Sequence, residues 1–264
     1  MNATNDALVG ALEFYDELAD SYPLIVASWD DMVRTQGQVL DKLIRKILRL
    51  DYIRILDCSC GIGTQAIGLA LQGYEVRATD LSPKAVARAE LEAARLGAVV
   101  SFGVADFRHL EKVPGRYHAV ISCDNSLPHL LTESDLRLAF ESIRSKAEPN
   151  GIALFSIRDY DTILETKPIG TLPRTFEDRI GKRIYFQTWD WSDRSPVYKV
   201  NLFILREIDS GWDTKSFVTT YRAWRRDEIS MLMIGAGFDR AEWLFPQESD
   251  YYQPIAIARV GGTD

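Results

Sequence analysis

The sequence predicts an α/β fold: a doubly wound, seven-stranded sheet with helices on both faces, interrupted once by an antiparallel β insertion. Three observations predict it. Between Ile53 and Ile157 short apolar runs alternate with helical stretches, the pattern of parallel strands joined by helical crossovers. From Arg174 to Tyr221 the alternation stops and β-like runs follow one another directly. Beyond Tyr221 a helical stretch and two further apolar runs resume the first rhythm.

Residues 1–52 read as a helical cover. Glu13 to Ile25 forms an amphipathic stretch that Pro23 helps to stop, and Gln36 to Leu50 carries Val39, Leu40, Leu43, Ile47 and Leu48 at helical spacing. The core begins at residue 53. Strand Ile53 to Asp57 passes through Gly61 and Gly63 into a helix over 65–72 that Gly73 stops. Strand Glu75 to Asp80 leads to a helix that Ser82 caps and Pro83 opens, ending before Gly97. Strands Val99 to Ala105 and Tyr117 to Cys123 follow, and Thr132 caps a helix reaching Ala147. Pro149-Asn-Gly is a turn into strand Ile152 to Ile157, which closes the 53–173 part of the core.

The insertion, 174–221, holds three β-like runs: Arg183 to Trp191, Tyr198 to Glu207 and Lys215 to Tyr221. Asp193-Arg-Ser-Pro and Asp209-Ser-Gly serve as turns. It is expected to pack over the carboxyl edge of the sheet and cover the site. Residues 222–264 complete the core with a helix over Arg226 to Ile234, a break at Gly235-Ala-Gly237, and strands Glu242 to Phe245 and Ile255 to Val260. With no repeat, low-complexity tract or long linker, a single domain is expected.

Composition narrows the partners. At 264 residues and 46% hydrophobic the chain can bury a sizeable core. Its 31 Lys+Arg are outnumbered by 38 Asp+Glu, giving a net charge of −7, so a nucleic-acid surface is not expected and a small-molecule substrate is. Three cysteines are too few for a disulfide framework and the N-terminus lacks a signal-peptide pattern, so a cytoplasmic location is expected. No apolar run approaches the ~20 residues of a membrane span. Cys58-x-Cys60 lacks a second Cys/His pair at ligand spacing, so no metal is expected.

Gly61-Ile-Gly-Thr-Gln-Ala66 satisfies a dinucleotide fingerprint with Ala in third place, and Asp80 stands where it could hold ribose hydroxyls. On those residues alone a nicotinamide oxidoreductase remains open. Asp57, however, ends the first strand just before the glycine turn, where a carboxylate suits an ammonium and repels a pyrophosphate. Asp106 ends the third strand, and Phe107 beside it can cover an adenine ring. Acids at three successive strand ends suit a cationic amino-acid nucleoside better than two phosphates.

These stretches resemble the class I S-adenosylmethionine-dependent methyltransferases, which share a Rossmann-like sheet. Leu56-Asp-x-x-Cys-Gly-Ile-Gly63 is similar to the glycine loop of that superfamily, Thr79-Asp-Leu-Ser82 to its ribose-binding acid, and Val104-Ala-Asp-Phe107 to its adenine site. Cys123-Asp-Asn-Ser-Leu-Pro-His-Leu130 and Ser156-Ile-Arg-Asp-Tyr-Asp161 resemble segments of the glycine N-methyltransferases and bacterial glycine/sarcosine N-methyltransferases. The resemblance implies S-adenosylmethionine as cofactor, with S-adenosylhomocysteine as product. Cofactor contacts are implied for Tyr15, Arg34, Asp57, Cys58, Gly61, Gly63, Asp80, Leu81, Asp106, Phe107, Cys123 and His129.

By the same resemblance Asn125 and Arg158 bind the acceptor, Arg158 through a carboxylate. Tyr15 approaches the sulfonium, and Tyr221 enters the site from the insertion. The implied reaction is N-methylation of a small amino acid or amine such as glycine or sarcosine. The alternative is O- or N-methylation of a larger metabolite. No residue is identified as a general base. The leader before Phe14 is short for a subunit-crossing arm, so a monomer or homodimer is expected rather than a tetramer.

Overall fold

The computed structural model describes residues 3–193 and 195–262. Among these, β1 (Arg54–Asp57), β2 (Glu75–Asp80), β3 (Val100–Val104), β4 (Tyr117–Ser122) and β5 (Ala147–Ser156) run parallel. Two late strands, β10 (Arg240–Leu244) and β11 (Ile255–Arg259), complete a seven-stranded sheet in the order β10-β11-β5-β4-β1-β2-β3, with β11 antiparallel to both its neighbours. The chain order reverses between β1 and β4, the switch point whose carboxyl side opens into the ligand crevice of doubly wound sheets.

Both faces of the sheet are covered, and its central strands β1, β4, β5 and β11 are accordingly mostly buried and apolar, while the edge strands β3 and β10 are less so. On one face Leu56, Val120, Phe155 and Ala256 meet Phe140 and Ile143 of α5 (Glu133–Lys146) and Met233 of α7 (Arg226–Gly235). On the other, Ile55, Ile121, Leu154 and Ile257 meet Leu40 and Ile44 of α2 (Trp29–Leu48) and Ala66 and Leu69 of α3 (Thr64–Ala70). The end signals act as expected. Ser82 accepts from Ala85 N at 3.0 Å to start α4 (Pro83–Leu96), Gly97 ends that helix at φ +71°, and Thr132 accepts from Asp135 N at 3.1 Å to start α5.

Helices α2 and α3 touch through glycine. A Cβ on Gly37 would stand 2.5 Å from the Gly68 carbonyl carbon, and one on Gly68 would stand 2.4 Å from Val33 O. No side chain larger than hydrogen fits either position at this backbone separation.

Several elements differ from expectation. The first helix, α1 (Ala3–Leu18), starts earlier and ends before Pro23, which instead opens a short 3₁₀ turn over Tyr22–Ile25. Helix α2 starts at Trp29, seven residues early, because Ser28 caps it by accepting from Asp31 N at 3.2 Å. The expected Pro149-Asn150-Gly151 turn is absorbed into β5 as a bulge, with Asn150 at φ +62°. Two short helices, α6 (Tyr160–Thr166) and α8 (Pro246–Ser249), were not foreseen.

The insertion adds a strand to the three expected. β6 (Arg174–Asp178), β7 (Gly181–Trp191), β8 (Val197–Ile208) and β9 (Gly211–Arg222) form an antiparallel sheet in sequential order. β6 is an edge strand, largely exposed on both faces, so it has no apolar alternation to read. The turn after β7 includes Arg194, which lies outside the described residues. Leu202, Ile204 and Phe217 of this sheet pack on Phe14 and Leu18 of α1. The buried Arg183 guanidinium donates to the carbonyls of Leu24, Val26 and Ala27 and pairs with Asp178 at 2.9 Å, fastening the loop before α2 to the insertion. No helix among the described residues is long and apolar enough to cross a membrane.

Candidate active site

The carboxyl ends of β1, β2, β3 and β4 border a cavity with about 870 Å³ of empty space, its open mouth included. Gly61 lies on its wall at φ +52°, donates its N–H to Asp80 Oδ2 at 2.7 Å, and would meet nothing within 4 Å if it carried a Cβ. A side chain at Gly61 would therefore fill space that a ligand can use. Gly63 does not line the cavity. It sits at φ +92° as the N-cap of α3, where a Cβ would stand 2.8 Å from Ile67 Cδ1, so it serves the turn and the packing beneath it.

The acids take different stations. Asp80 lines the cavity, and its other oxygen accepts from Ser82 N at 2.9 Å; burial pushes its carboxyl above the ordinary range and these N–H donors pull it back. Asp57 is 1% exposed and lies behind the wall. Its Oδ1 accepts from Ser59 N at 3.3 Å while Oδ2 is buried with no partner. Burial first, and then the nearby charges of Asp80 and Asp124, push its pKa up to about 8 against the Ser59 N–H. An orphaned buried carboxylate oxygen is costly, and a cation in the adjoining cavity would compensate it.

Asp106, Phe107, Leu81 and Cys123 also line this cavity. Both oxygens of Asp106 are engaged by the Arg108 guanidinium at 2.8–3.2 Å, and Arg108 pairs in turn with Asp135 at 2.7 Å. Arg108 and Asp135, missed from the sequence, thus brace the acid expected to meet adenine.

Four residues expected to contact the cofactor lie off the wall of this cavity: Gly63 and Asp57, as above, and Cys58 and Arg34. Cys58 turns its thiol to Ile121 O at 3.2 Å and packs in the core, while Cys60, two residues on, lines the cavity. Arg34 is exposed on α2 and borders neither cavity described here, whereas Thr35 and Gln36 do border the second. One position along a helix turns a side chain by about 100°, which is enough to put Arg34 on the outer face.

A second cavity, with about 1790 Å³ of empty space including its open mouth, lies under the insertion. Tyr15, Tyr22 and Asp124 line both cavities and so form the boundary between them. The wall of the second includes Asn125, Arg158, Tyr185, Gln187, Tyr221 and Tyr252. Asp124 and Asn125 stand in succession at φ +59° and +69°, a strain of about 1–3 kcal/mol per residue that Asp and Asn tolerate better than other side chains. Asn125 Oδ1 accepts from Arg158 N at 3.2 Å and from the Tyr160 hydroxyl at 3.0 Å, leaving its buried Nδ2 without a partner.

Arg158 is held entirely by neutral groups. It donates to the Tyr198 hydroxyl at 3.3 Å and Gln187 Oε1 at 3.0 Å, and lies over the rings of Trp189 and Tyr221 at 5.0 and 5.7 Å. Among the described residues no carboxylate comes within ion-pair distance of it. Asp159 pairs with Arg226, and Asp161 with Arg225 and Arg226. A guanidinium held away from water without a counter-charge is a ready receptor for an anion, and its fork matches a carboxylate.

His129 ties the two cavities together. Its Nε2 stands 3.1 Å from the Tyr15 hydroxyl, its Nδ1 3.3 Å from Thr219 Oγ1, and its ring meets Tyr221 edge-on at 4.7 Å. Burial, aided by the Arg158 charge, pushes its pKa down to about 3, so the imidazole is neutral at pH 7. Burial also holds the Tyr15 phenol well above its ordinary pKa, so this pair orients without carrying charge. Gln187, Tyr252 and Asp124 were missed from the sequence as site residues. Only Asp124 left a signal, its place at a strand end inside the Cys123–Leu130 motif.

Residues 55–151 match the family described as a methyltransferase domain. Among curated proteins, the putative methyltransferase YqeM of Bacillus subtilis (strain 168) is 34% identical over 186 residues, covering 70% of this chain and 73% of that one. The glycine/sarcosine N-methyltransferase of Halorhodospira halochloris is 26% identical over 217 residues, covering 77% and 75%. Among solved structures, S-adenosylmethionine-bound CalS10 from Micromonospora echinaspora, an amino pentose methyltransferase, superposes with a TM-score of 0.74 at 18% identity, covering 91% of this chain and 94% of that one.

Proposed function

Because the chain belongs to the class I S-adenosylmethionine-dependent methyltransferases, we propose that it N-methylates a small amino acid, glycine or sarcosine, held in the cavity under the insertion. The observation that carries this reading is Arg158, a guanidinium without a counter-charge among neutral partners. The similarity to glycine/sarcosine N-methyltransferases at 26–30% identity supports it.

S-adenosylmethionine supplies a methyl group on a sulfonium whose leaving group departs neutral, so the protein must chiefly align the acceptor. In this reading Asp80 holds the ribose hydroxyls, Phe107 covers the adenine, and Asp57 answers the positive charge of the amino-acid end. Tyr15, fixed by neutral His129, stands at the boundary where the reacting atoms meet. Arg158 takes the acceptor carboxylate and Asn125, through its free Nδ2, a second acceptor oxygen, with Tyr221 closing the far side. The test is release of S-adenosylhomocysteine with glycine and with sarcosine, together with product mass. Each should give product, with one methyl group gained for each S-adenosylhomocysteine released. Release with neither would end the glycine and sarcosine reading and leave the family assignment intact.

The size of the second cavity favours a second reading, methylation of the nitrogen or oxygen of a larger metabolite. Its mark would be turnover that survives Arg158→Ala.

Cofactor binding should also be linked to protons. Asp57, with a pKa of about 8, is largely protonated at pH 7, and a cation beside it lowers that value. S-adenosylhomocysteine binding at pH 7 should therefore release up to about one proton, seen as different binding enthalpies in phosphate and Tris buffers. Asp57→Asn should abolish the difference; equal enthalpies with the wild-type protein would contradict the assignment. The sign on stability follows. The folded pKa is raised from 3.8, so the stabilisation belonging to the protonated form is full below pH 4 and is lost as pH rises through about 8. Free of ligand above pH 8, Asp57→Asn should be more stable than the wild type.

A further inference from the structure

We propose that Asp124 holds the acceptor's ammonium opposite Arg158 and takes its proton before methyl transfer. This rests on the reading of the second cavity as the acceptor site. Asp124 lies on the boundary between the two cavities, next to Tyr15, where the acceptor nitrogen must stand to meet the methyl group. Its Oδ1 accepts from the Tyr251 hydroxyl at 3.2 Å and from the Tyr252 hydroxyl, and neither tyrosine takes Oδ2. Tyr252 borders the acceptor cavity and not the glycine-loop cavity, so the carboxylate is braced from the acceptor side.

Among the described residues no Lys or Arg pairs with Asp124, just as no carboxylate pairs with Arg158. The cavity wall thus carries an anion and a cation, each without an ion-pair partner, with Asp31 and Arg174 also on its wall but exposed, and the Asp124–Arg158 combination is the complement of a zwitterion with a short spacer. The left-handed backbone at Asp124 and Asn125 brings both side chains to this cavity, a strained turn kept where two adjacent polar groups are needed. Burial pushes the Asp124 carboxyl above its ordinary pKa against the Tyr252, Gln65 and Tyr251 hydrogen bonds, which brings it closer to that of an amine.

The step balances. The acceptor ammonium gives one proton to the Asp124 carboxylate, and the freed nitrogen lone pair forms the new C–N bond. The C–S bond breaks with its pair remaining on sulfur, leaving a neutral thioether and an N-methylammonium. Asp124 then returns its proton to water.

The test compares wild type, Asp124→Asn and Asp124→Glu. Calorimetry gives the affinity for S-adenosylhomocysteine, and steady-state release gives kcat and KM for glycine, sarcosine and a panel of small amino acids and amines. Asp124→Asn is expected to bind S-adenosylhomocysteine within about threefold of wild type, which also shows that it folds, while kcat/KM falls by roughly 100-fold or more, mostly in kcat. Asp124→Glu should recover part of the loss. Cofactor affinity falling in step with turnover would assign Asp124 to cofactor binding and overturn the proposal, as would an unchanged kcat/KM. If the wild type turns over only an amine other than glycine or sarcosine and Asp124→Asn abolishes it, the substrate reading fails and the role of Asp124 stands. If nothing in the panel is turned over, both fail.

Discussion

Arg158→Ala is expected to lower kcat/KM for glycine by roughly 10²- to 10³-fold, as measured by steady-state S-adenosylhomocysteine release, while cofactor affinity stays within about threefold. The magnitude is that of a desolvated, forked contact between guanidinium and carboxylate, about 3–4 kcal/mol. Arg158→Lys should fall between, since an ammonium keeps the charge and loses the planar fork. The effect on stability should have the opposite sense. Arg158 has only Tyr198, Gln187 and two aromatic faces to compensate its desolvation in the free protein. Arg158→Met, which fills similar space without charge, should therefore melt no lower than wild type. A binding group that costs the empty fold energy is what a receptor for an anion requires, and a purely structural arginine would show the reverse.

The second large effect is structural. Gly37→Ala and Gly68→Ala should each cost about 2–4 kcal/mol in urea unfolding, because the added methyl meets backbone atoms that cannot rotate aside. Cofactor affinity should fall as well, since α3, which must shift, begins at the glycine loop. Gly235→Ala is the control. That residue ends α7 with nothing within 4 Å of a new Cβ, so the change should be neutral or stabilise by up to about 1 kcal/mol. Equal behaviour of the three variants would show that helix contact is not what Gly37 and Gly68 provide.

The sheet was legible in the sequence because its central strands are buried on both faces and its helices carry their own end signals: Ser82 with Pro83, Gly97, Thr132. What failed to show has physical reasons. β6 is exposed on both faces, so its sequence carries no period, and α6 and α8 are too short to build one. The contact of Gly37 with Gly68 joins residues whose neighbourhood exists only once the helices have packed. The strand-end acids were visible as a series, but their division of labour was not. Asp80 faces the cavity, Asp57 stands behind its wall, and Asp106 is bound by an arginine two residues away. Arg34 and Cys58 share a pattern: a similarity aligned to the correct element does not decide which neighbouring side chain borders a cavity, here Thr35 and Gln36 beside Arg34 and Cys60 beside Cys58. Arg158 was legible as a charge leaving β5. That it lacks a counter-ion became visible only when Asp159 and Asp161 proved to be committed to Arg225 and Arg226.

The most direct measurement is the ratio of kcat/KM for glycine to that for glycinamide, an acceptor of the same size with a neutral amide in place of the carboxylate and an amine that deprotonates more readily. A cavity built around the free charge of Arg158 predicts that glycine is preferred by roughly 100-fold or more, and that Arg158→Ala collapses the ratio toward unity. Equal turnover of the two by the wild-type protein, or a ratio untouched by that substitution, would contradict the account.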